Sequence, residues 1–168
     1  MLLKQKEQVP FKVLVLCTGN SARSILAEHL FNQAGAGMFE AYSAGSHPTG
    51  RLNPYAVELL EQKGADCSGY HSKSWDEFAK SGALHMDFVV TVCGNAAAES
   101  CPMFLGDFKL IHWGLPDPAE YTAKPEKARQ AFVEVYNTLR QRIESLLQLP
   151  LAKRDKESVW HAMESLAK

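Results

Sequence analysis

Four short segments rich in apolar and aromatic residues recur along the chain, separated by longer polar or amphipathic stretches. They cover residues 11–16, 39–43, 88–92 and 108–113. Continuous apolar runs of this length, such as 11–16 and 88–92, are typical of parallel strands that are buried on both faces. The pattern therefore predicts four strands with helical segments between them.

The helices are predicted from apolar spacing and from capping residues. In residues 24–34 the apolar side chains recur three and four positions apart, which places Glu28 on the opposite, polar side. Asn53 followed by Pro54 predicts the start of a helix that runs to Gly64. A capped start at Ser74 and a long amphipathic stretch over 125–149 predict two more helices, and residues 94–100 predict a short helix or a loop.

This alternation predicts an α/β fold, a doubly wound four-stranded parallel sheet in the order 2-1-3-4 with helices on both faces. Residues 1–150 form the predicted single domain, and residues 151–168 form a charged, helical C-terminal tail. Ligands of such sheets bind beyond the carboxyl ends of the strands, where the strand order reverses. Because Cys17 ends the first strand and Cys93 ends the third, we expect both side chains to face one crevice.

Composition and charge exclude several classes of protein. The 168 residues are 46% hydrophobic and 22% charged, with a net charge of −1, so a general nucleic-acid or membrane-surface role is not expected. The polar N-terminal stretch has no secretion signal, which favours a cytoplasmic protein. Four cysteines, at positions 17, 67, 93 and 101, then suggest catalysis or redox chemistry, and their spacing predicts no metal site.

The segment from Cys17 to Ser24 has the composition of an oxyanion-binding loop. A loop between a strand and a helix N-terminus aims backbone N–H groups at one point, and the helix dipole favours negative charge there. The same field predicts a low pKa for Cys17 and hence a thiolate nucleophile. Arg23 offers a planar fork for two anion oxygens, and Gly19 allows a tight turn. The expected anion-binding residues are Thr18, Gly19, Asn20, Ser21, Ala22, Arg23 and Ser24.

Two further stretches carry candidate chemistry. Cys93 and Cys101 flank a segment of small residues that opens at modest cost, so they are either a redox pair or two ordinary buried cysteines. Asp117 lies between two prolines that fix its backbone, so it is either an acid aimed at the anion site or a simple turn residue. Cys67 lies outside every motif and is interpreted as structural.

Taken together, these segments resemble the low-molecular-weight tyrosine phosphatase family and, within it, the thiol-dependent arsenate reductases. The paired cysteines and His112-Trp113-Gly114 are similar to the reductases alone, whereas the Cys17 loop and Asp117-Pro118 are shared with the phosphatases. Ala119 stands where the phosphatases usually carry an aromatic residue.

The resemblance implies reduction of arsenate to arsenite. Cys17 attacks arsenic, Arg23 clamps the oxyanion and Asp117 protonates the departing oxygen. Cys93 then attacks the Cys17 sulfur, arsenite leaves, and Cys101 moves the resulting disulfide outward. Asn20 and Ser43 are expected to support the loop, and His112 is expected to pack and hydrogen-bond.

The same resemblance predicts that no cofactor is bound and that an external thiol system closes the cycle. Thioredoxin is favoured, with glutaredoxin and glutathione as the other source of electrons. Two other functions stay open: hydrolysis of phosphate monoesters, and non-enzymatic, redox-sensitive binding of oxyanions. Some family members bind potassium beside the loop through a carboxylate, and Lys73 near that position makes such a site unexpected here.

Overall fold

A four-stranded sheet organises the structure, a computed structural model that describes residues 9–94 and 104–167. Its strands are β1 (Phe11–Cys17), β2 (Phe39–Gly45), β3 (Phe88–Thr91) and β4 (Lys109–His112). The spatial order is β2-β1-β3-β4, and each neighbouring pair is parallel. The predicted strand order is therefore confirmed, and the carboxyl ends of β1 and β3 are neighbours.

The described helices follow the predicted pattern except for one element. Within residues 9–94 and 104–167 the α-helices are α1 (Arg23–Gln33), α2 (Pro54–Gln62), α3 (Pro125–Leu147) and α4 (Lys156–Ser165). The Asn53 side chain accepts a hydrogen bond from the Tyr55 N–H, which confirms the predicted cap. Ser74 also caps as predicted, but the element that follows, Trp75–Phe78, is a 3-10 turn rather than an α-helix. Most of the segment predicted as a short helix or loop, residues 94–100, lies outside the described residues.

The two faces of the sheet are covered differently. Val13, Val15 and Val90 belong to a large core to which every α-helix of the described residues contributes. Leu14 and Leu16 point to the other face and pack in a smaller cluster with Phe78, Met86 and Phe104. None of the helices in the described part of the chain is long and apolar enough to cross a bilayer.

Helix α1 differs from its prediction because it is buried almost all round. Residues 24–31 are all buried, including Glu28, which is only 8% exposed. The helix contacts β1 and β2 on one side and α2 and α3 on others, so none of its central faces reaches solvent. The side opposite the predicted apolar face, where the spacing places Glu28, is therefore buried as well, since helical spacing cannot distinguish a solvent-facing polar residue from one in a buried network.

Candidate active site

The peptide groups of the loop after β1 are oriented by a second loop, residues 46–53. The loop carbonyl oxygens of Thr18, Gly19 and Ser21 accept hydrogen bonds of 2.9, 3.0 and 2.9 Å from backbone N–H groups of that second loop, those of His47, Thr49 and Asn53. In a trans peptide the C=O and the following N–H point in opposite directions. The N–H groups of Gly19, Asn20 and Ala22 are therefore turned to the inner side of the loop, where they can bind an anion.

Asn20 supplies the turn of this loop. It is the only non-glycine residue among the described residues with a positive φ, 47°, a conformation that asparagine tolerates better than most residues. Gly19 was expected to supply the tight turn, but its φ is not in this region. Glycine at position 19 instead allows Thr49 to approach closely, because a Cβ there would lie only 3.2 Å from the Thr49 methyl group.

The Asn20 side chain is fully buried and uses both ends of its amide. Its Nδ2 donates to Ser24 Oγ at 2.8 Å and to Ser43 Oγ at 3.0 Å. Its Oδ1 accepts from the backbone N–H of Lys73 at 3.0 Å. The two predicted supporting residues, Asn20 and Ser43, thus bond directly to each other, and they tie the loop to α1, β2 and residue 73.

The network ends on a buried carboxylate that the sequence interpretation missed. Ser43 Oγ donates to Glu28 Oε2 at 2.9 Å. Burial raises the pKa of Glu28, and the Lys73 ammonium and the Ser43 hydrogen bond act in the opposite direction. A glutamate at the centre of an otherwise apolar helix run was the only sequence signal that could have revealed it.

The end of β2 approaches the loop so closely that only glycine fits. A Cβ on Gly45 would lie 2.4 Å from the carbonyl oxygen of Thr18 and 3.0 Å from the Asn20 side chain. Real Cβ atoms do not come this close to a carbonyl oxygen. Gly45 therefore fixes how near the loop lies to the sheet.

The N-terminus of α1 faces the loop without a capping side chain. Its N-cap is Ala22, which has no polar side-chain atom, and Ser24 lies inside the helix, where it accepts the bond from Asn20. Ser24 therefore does not cap the helix. The first-turn N–H groups of the helix are left to an anion, as at other anion-binding helix termini.

The two cysteines meet at the carboxyl ends of β1 and β3, as the topology predicts. Both side chains are buried thiols, and they lie close enough for the Cys93 thiol to interact directly with the Cys17 thiol. Thr18 Oγ1 lies 3.4 Å from Cys93 Sγ, a hydrogen-bond distance for sulfur. A second sulfur thus lies beside the first at the start of the anion loop.

The protonation state of Cys17 in this arrangement differs from the expectation of a thiolate. The hydrogen bond with Cys93 and then burial raise the pKa of the Cys17 thiol, and Arg23 and the Thr18 N–H lower it by less. The expected low pKa was wrong for this state because the sequence interpretation counted the loop donors but not the adjacent second thiol.

Arg23 links the loop to the segment that carries Asp117. Its Nη1 donates to the carbonyl oxygen of Leu115 at 2.9 Å, and its Nη2 lies 3.7 Å from Asp117 Oδ2. The other oxygen of Asp117 accepts from the N–H of Ala119 at 3.0 Å and caps the 3-10 turn Pro118–Tyr121. The predicted acid is therefore beside the predicted clamp, at the mouth of the loop.

The remaining candidate residues lie apart from this cluster or outside the description. Cys67 is free and partly buried in the 3-10 turn Cys67–Gly69, and burial raises the pKa of its thiol. His112 Nδ1 bonds with Thr91 Oγ1 at 2.7 Å, although the imidazole is exposed rather than packed. Cys101 lies outside the described residues. Within residues 9–94 and 104–167 no group of three or more potential metal ligands occurs.

The sequence profile described as low molecular weight phosphotyrosine protein phosphatase matches residues 12–158. The chain belongs to this family. Its relatives include a protein named arsenate reductase from Shouchella clausii, which is 37% identical over 131 residues, 78% of this chain and 91% of the relative.

Solved structures of arsenate reductases superpose on the fold. The crystal structure of arsenate reductase from Archaeoglobus fulgidus is 28% identical, with a TM-score of 0.59, and the match covers 78% of this chain and 98% of that chain. A thioredoxin-dependent arsenate reductase from Corynebacterium glutamicum is 27% identical, with a TM-score of 0.59, over 84% of this chain and 64% of that chain. Both proteins carry a reductase name, whereas the profile that matches this chain is named for phosphatases.

Proposed function

We propose that this protein reduces arsenate to arsenite through a relay of cysteine thiols. The observation that carries the proposal is the second thiol, Cys93, which lies beside the Cys17 thiol at the neighbouring ends of β1 and β3, with its sulfur 3.4 Å from Thr18 Oγ1 of the anion loop. Hydrolysis of a phosphate ester needs one cysteine and water, whereas reduction of arsenic needs two electrons. Two adjacent thiols supply these electrons when they form a disulfide.

In the first step the loop holds arsenate on its inward N–H groups, and Arg23, which Leu115 O holds through Nη1, offers its remaining N–H groups to two oxygens. Cys17 gives its proton to an oxygen of the arsenate dianion, the resulting thiolate attacks arsenic, an As–O bond breaks, and Asp117 donates the proton that lets the hydroxyl leave as water. The product is a covalent Cys17 thiol-arsenate in which arsenic is still pentavalent. The inward donors stabilise its negative oxygens.

In the second step the Cys93 thiolate attacks the Cys17 sulfur. The S–As bond breaks and its electron pair leaves with arsenic, which departs as trivalent arsenite, while Cys17 and Cys93 form a disulfide. Thr18 Oγ1 at 3.4 Å is placed to donate a hydrogen bond to the attacking sulfur. In the proposed third step Cys101 attacks Cys93, which frees Cys17 and leaves a Cys93–Cys101 disulfide.

An external dithiol then reduces this disulfide. Thioredoxin is the reductant we propose, because one structurally similar reductase is thioredoxin-dependent by name. Glutaredoxin with glutathione is the alternative, and the coupled assay distinguishes the two.

The test is arsenate-dependent oxidation of NADPH in the presence of thioredoxin and thioredoxin reductase. We expect turnover by the wild type, and its loss in Cys17→Ser, Cys93→Ser and Cys101→Ser. Cys67→Ser is the matched control, since Cys67 lies apart from the site, and it is expected to retain full turnover. Turnover that survives loss of Cys93 would contradict the relay.

A second candidate is hydrolysis of aryl phosphates, favoured by one feature beside Asp117. A groove of about 300 Å³ runs from Leu115 and Asp117 to Tyr121, whose side chain is 41% exposed. Tyr121 can offer a ring near the position where Ala119 lacks one. Steady hydrolysis of p-nitrophenyl phosphate that is unchanged by Cys93→Ser and weakened by Tyr121→Ala, without arsenate reduction, would favour this function.

A further inference from the structure

The C-terminal helix α4 packs on β4, the edge strand that leads to the segment with the proposed acid. Its Val159 and Met163 side chains are completely buried in the large core. The match to the family profile ends at residue 158, so the greater part of this helix lies beyond the matched region. The helix contacts both β4 and α3.

The most deeply buried hydrogen bond of α4 is with Trp113, the residue that follows β4. The indole is completely buried, and its Nε1 donates to the carbonyl oxygen of Met163 at 2.8 Å. Met163 lies in the last turn of α4, where carbonyl groups lack donors from their own helix. The Trp113 ring also stacks on Phe31 of α1, with ring centres 5.8 Å apart.

The backbone on either side of Trp113 is bonded to both halves of the site. The Trp113 N–H donates to Thr91 O at 2.7 Å and the Leu115 N–H donates to Val92 O at 3.0 Å, which fixes the strand end just before Cys93. The carbonyl of Leu115 accepts from Arg23 Nη1 at 2.9 Å. A displacement of residue 113 would therefore also shift Cys93, Arg23 and Asp117.

We propose that Trp113 is a positioning residue, and that its bond to α4 sets the place of Arg23 and Cys93 relative to the anion loop. Its importance for turnover rests on the proposed function, but its effect on anion binding does not. The variant Trp113→Phe keeps an aromatic ring and removes the N–H donor. Trp160→Phe is the matched control, because the Trp160 indole also joins α4 to β4, by a 3.3 Å bond to Leu110 O away from the site.

The test measures how inorganic phosphate protects Cys17 from alkylation by iodoacetamide, with the Cys17 and Cys93 peptides resolved by mass spectrometry. We expect half-protection in Trp113→Phe to need about three- to tenfold more phosphate, the effect of losing one hydrogen bond, and no change in Trp160→Phe. A variant that is only less well folded contains less protein that phosphate can protect, but its half-protecting phosphate concentration stays unchanged. An equal shift in both variants, or none in Trp113→Phe, would overturn the proposal.

A second variant keeps the test decisive if Trp113→Phe does not fold. Val159→Ala weakens the packing of α4 and leaves residue 113 unchanged. Like Trp113→Phe, it should raise the half-protecting phosphate concentration. A lower melting temperature without that rise would overturn the proposal. Arsenate turnover measured on the same samples is a separate readout: phosphate protection without turnover in the wild type contradicts the reductase function and leaves the positioning result standing.

Discussion

The site lies between two walls, the anion loop of residues 17–24 and the segment 113–117, and the two walls are held by different kinds of interaction. The anion loop is supported by a buried polar network that runs from Asn20 through Ser43 to Glu28. The opposite wall, residues 113–117, is supported by backbone bonds to the end of β3 and by the apolar burial of Trp113. Polar networks are directional and costly when partly broken, whereas apolar packing tolerates small changes of shape.

This difference matches what each wall has to do in the proposed reaction. An oxyanion site works only if its donors are held at fixed positions before the charge develops. The opposite wall has to bring one carboxyl group to the leaving oxygen. Damage to the first wall should therefore have the larger effect on both stability and anion binding.

The largest effect is expected from Asn20→Ala, which removes the centre of the polar network. It leaves the Lys73 N–H without its acceptor, removes the donor to the hydroxyls of Ser24 and Ser43, of which Ser43 keeps its bond to Glu28, and places alanine at a positive φ. We expect a loss of about 2–4 kcal/mol in the free energy of unfolding, since each unsatisfied buried group costs about 1–3 kcal/mol. Phosphate protection of Cys17 should also be lost. Urea unfolding and alkylation measure the two effects.

Asn20→Gly is the control that separates strain from hydrogen bonding. Glycine adopts the positive φ without cost but has no amide, so it should recover only the conformational part of the loss. Full recovery of stability and of phosphate protection by glycine would show that the network does not hold the loop.

The next largest effect is expected from Gly45→Ala, which pushes the loop from the sheet. The added methyl group would lie 2.4 Å from the Thr18 carbonyl oxygen, so the backbone must shift. Overpacking of this kind costs about 1–3 kcal/mol. The KM for arsenate should rise because the loop donors move, and steady-state kinetics measure it. Gly69→Ala, where a Cβ meets no atom within 4 Å, is the matched control and should change neither quantity.

Local patterns in the sequence were sufficient to predict much of the fold and the position of the loop. The strand runs, the cap at Asn53 and the Cys17 loop depend on neighbours in sequence, so they could be interpreted directly. Glu28 could not, because its burial depends on how α1 packs against other elements. The pKa of Cys17 could not either: the strand order predicts both cysteines in one crevice, but direct contact between the two thiols depends on how their side chains are oriented at the ends of β1 and β3.

That dependence can be tested with Cys93→Ala. The variant removes the thiol that contributes most to the raised pKa of Cys17, so the pKa of Cys17 should fall. A lower pKa means more thiolate at neutral pH, and the rate of Cys17 alkylation at pH 7 should rise while its midpoint moves to lower pH. Cys67→Ala should leave the alkylation profile of Cys17 unchanged. A midpoint that stays in place would mean that burial alone, without the second thiol, controls Cys17.

The smallest effect is expected at the far end of the polar network, from Glu28→Gln. Burial raises the pKa of Glu28 in the folded protein above its ordinary value of 4.5, so the folded state holds its proton more tightly than the unfolded state does. The wild type therefore loses stability relative to Glu28→Gln as the pH rises from 4.5 through the folded pKa, by at most about 1.4 kcal/mol per pH unit. Urea unfolding of both proteins across this range measures the difference. Parallel curves would mean that Lys73 and Ser43 fully offset the burial of the carboxylate. The charge of Glu28 would then add no pH-dependent cost to the network that supports the loop.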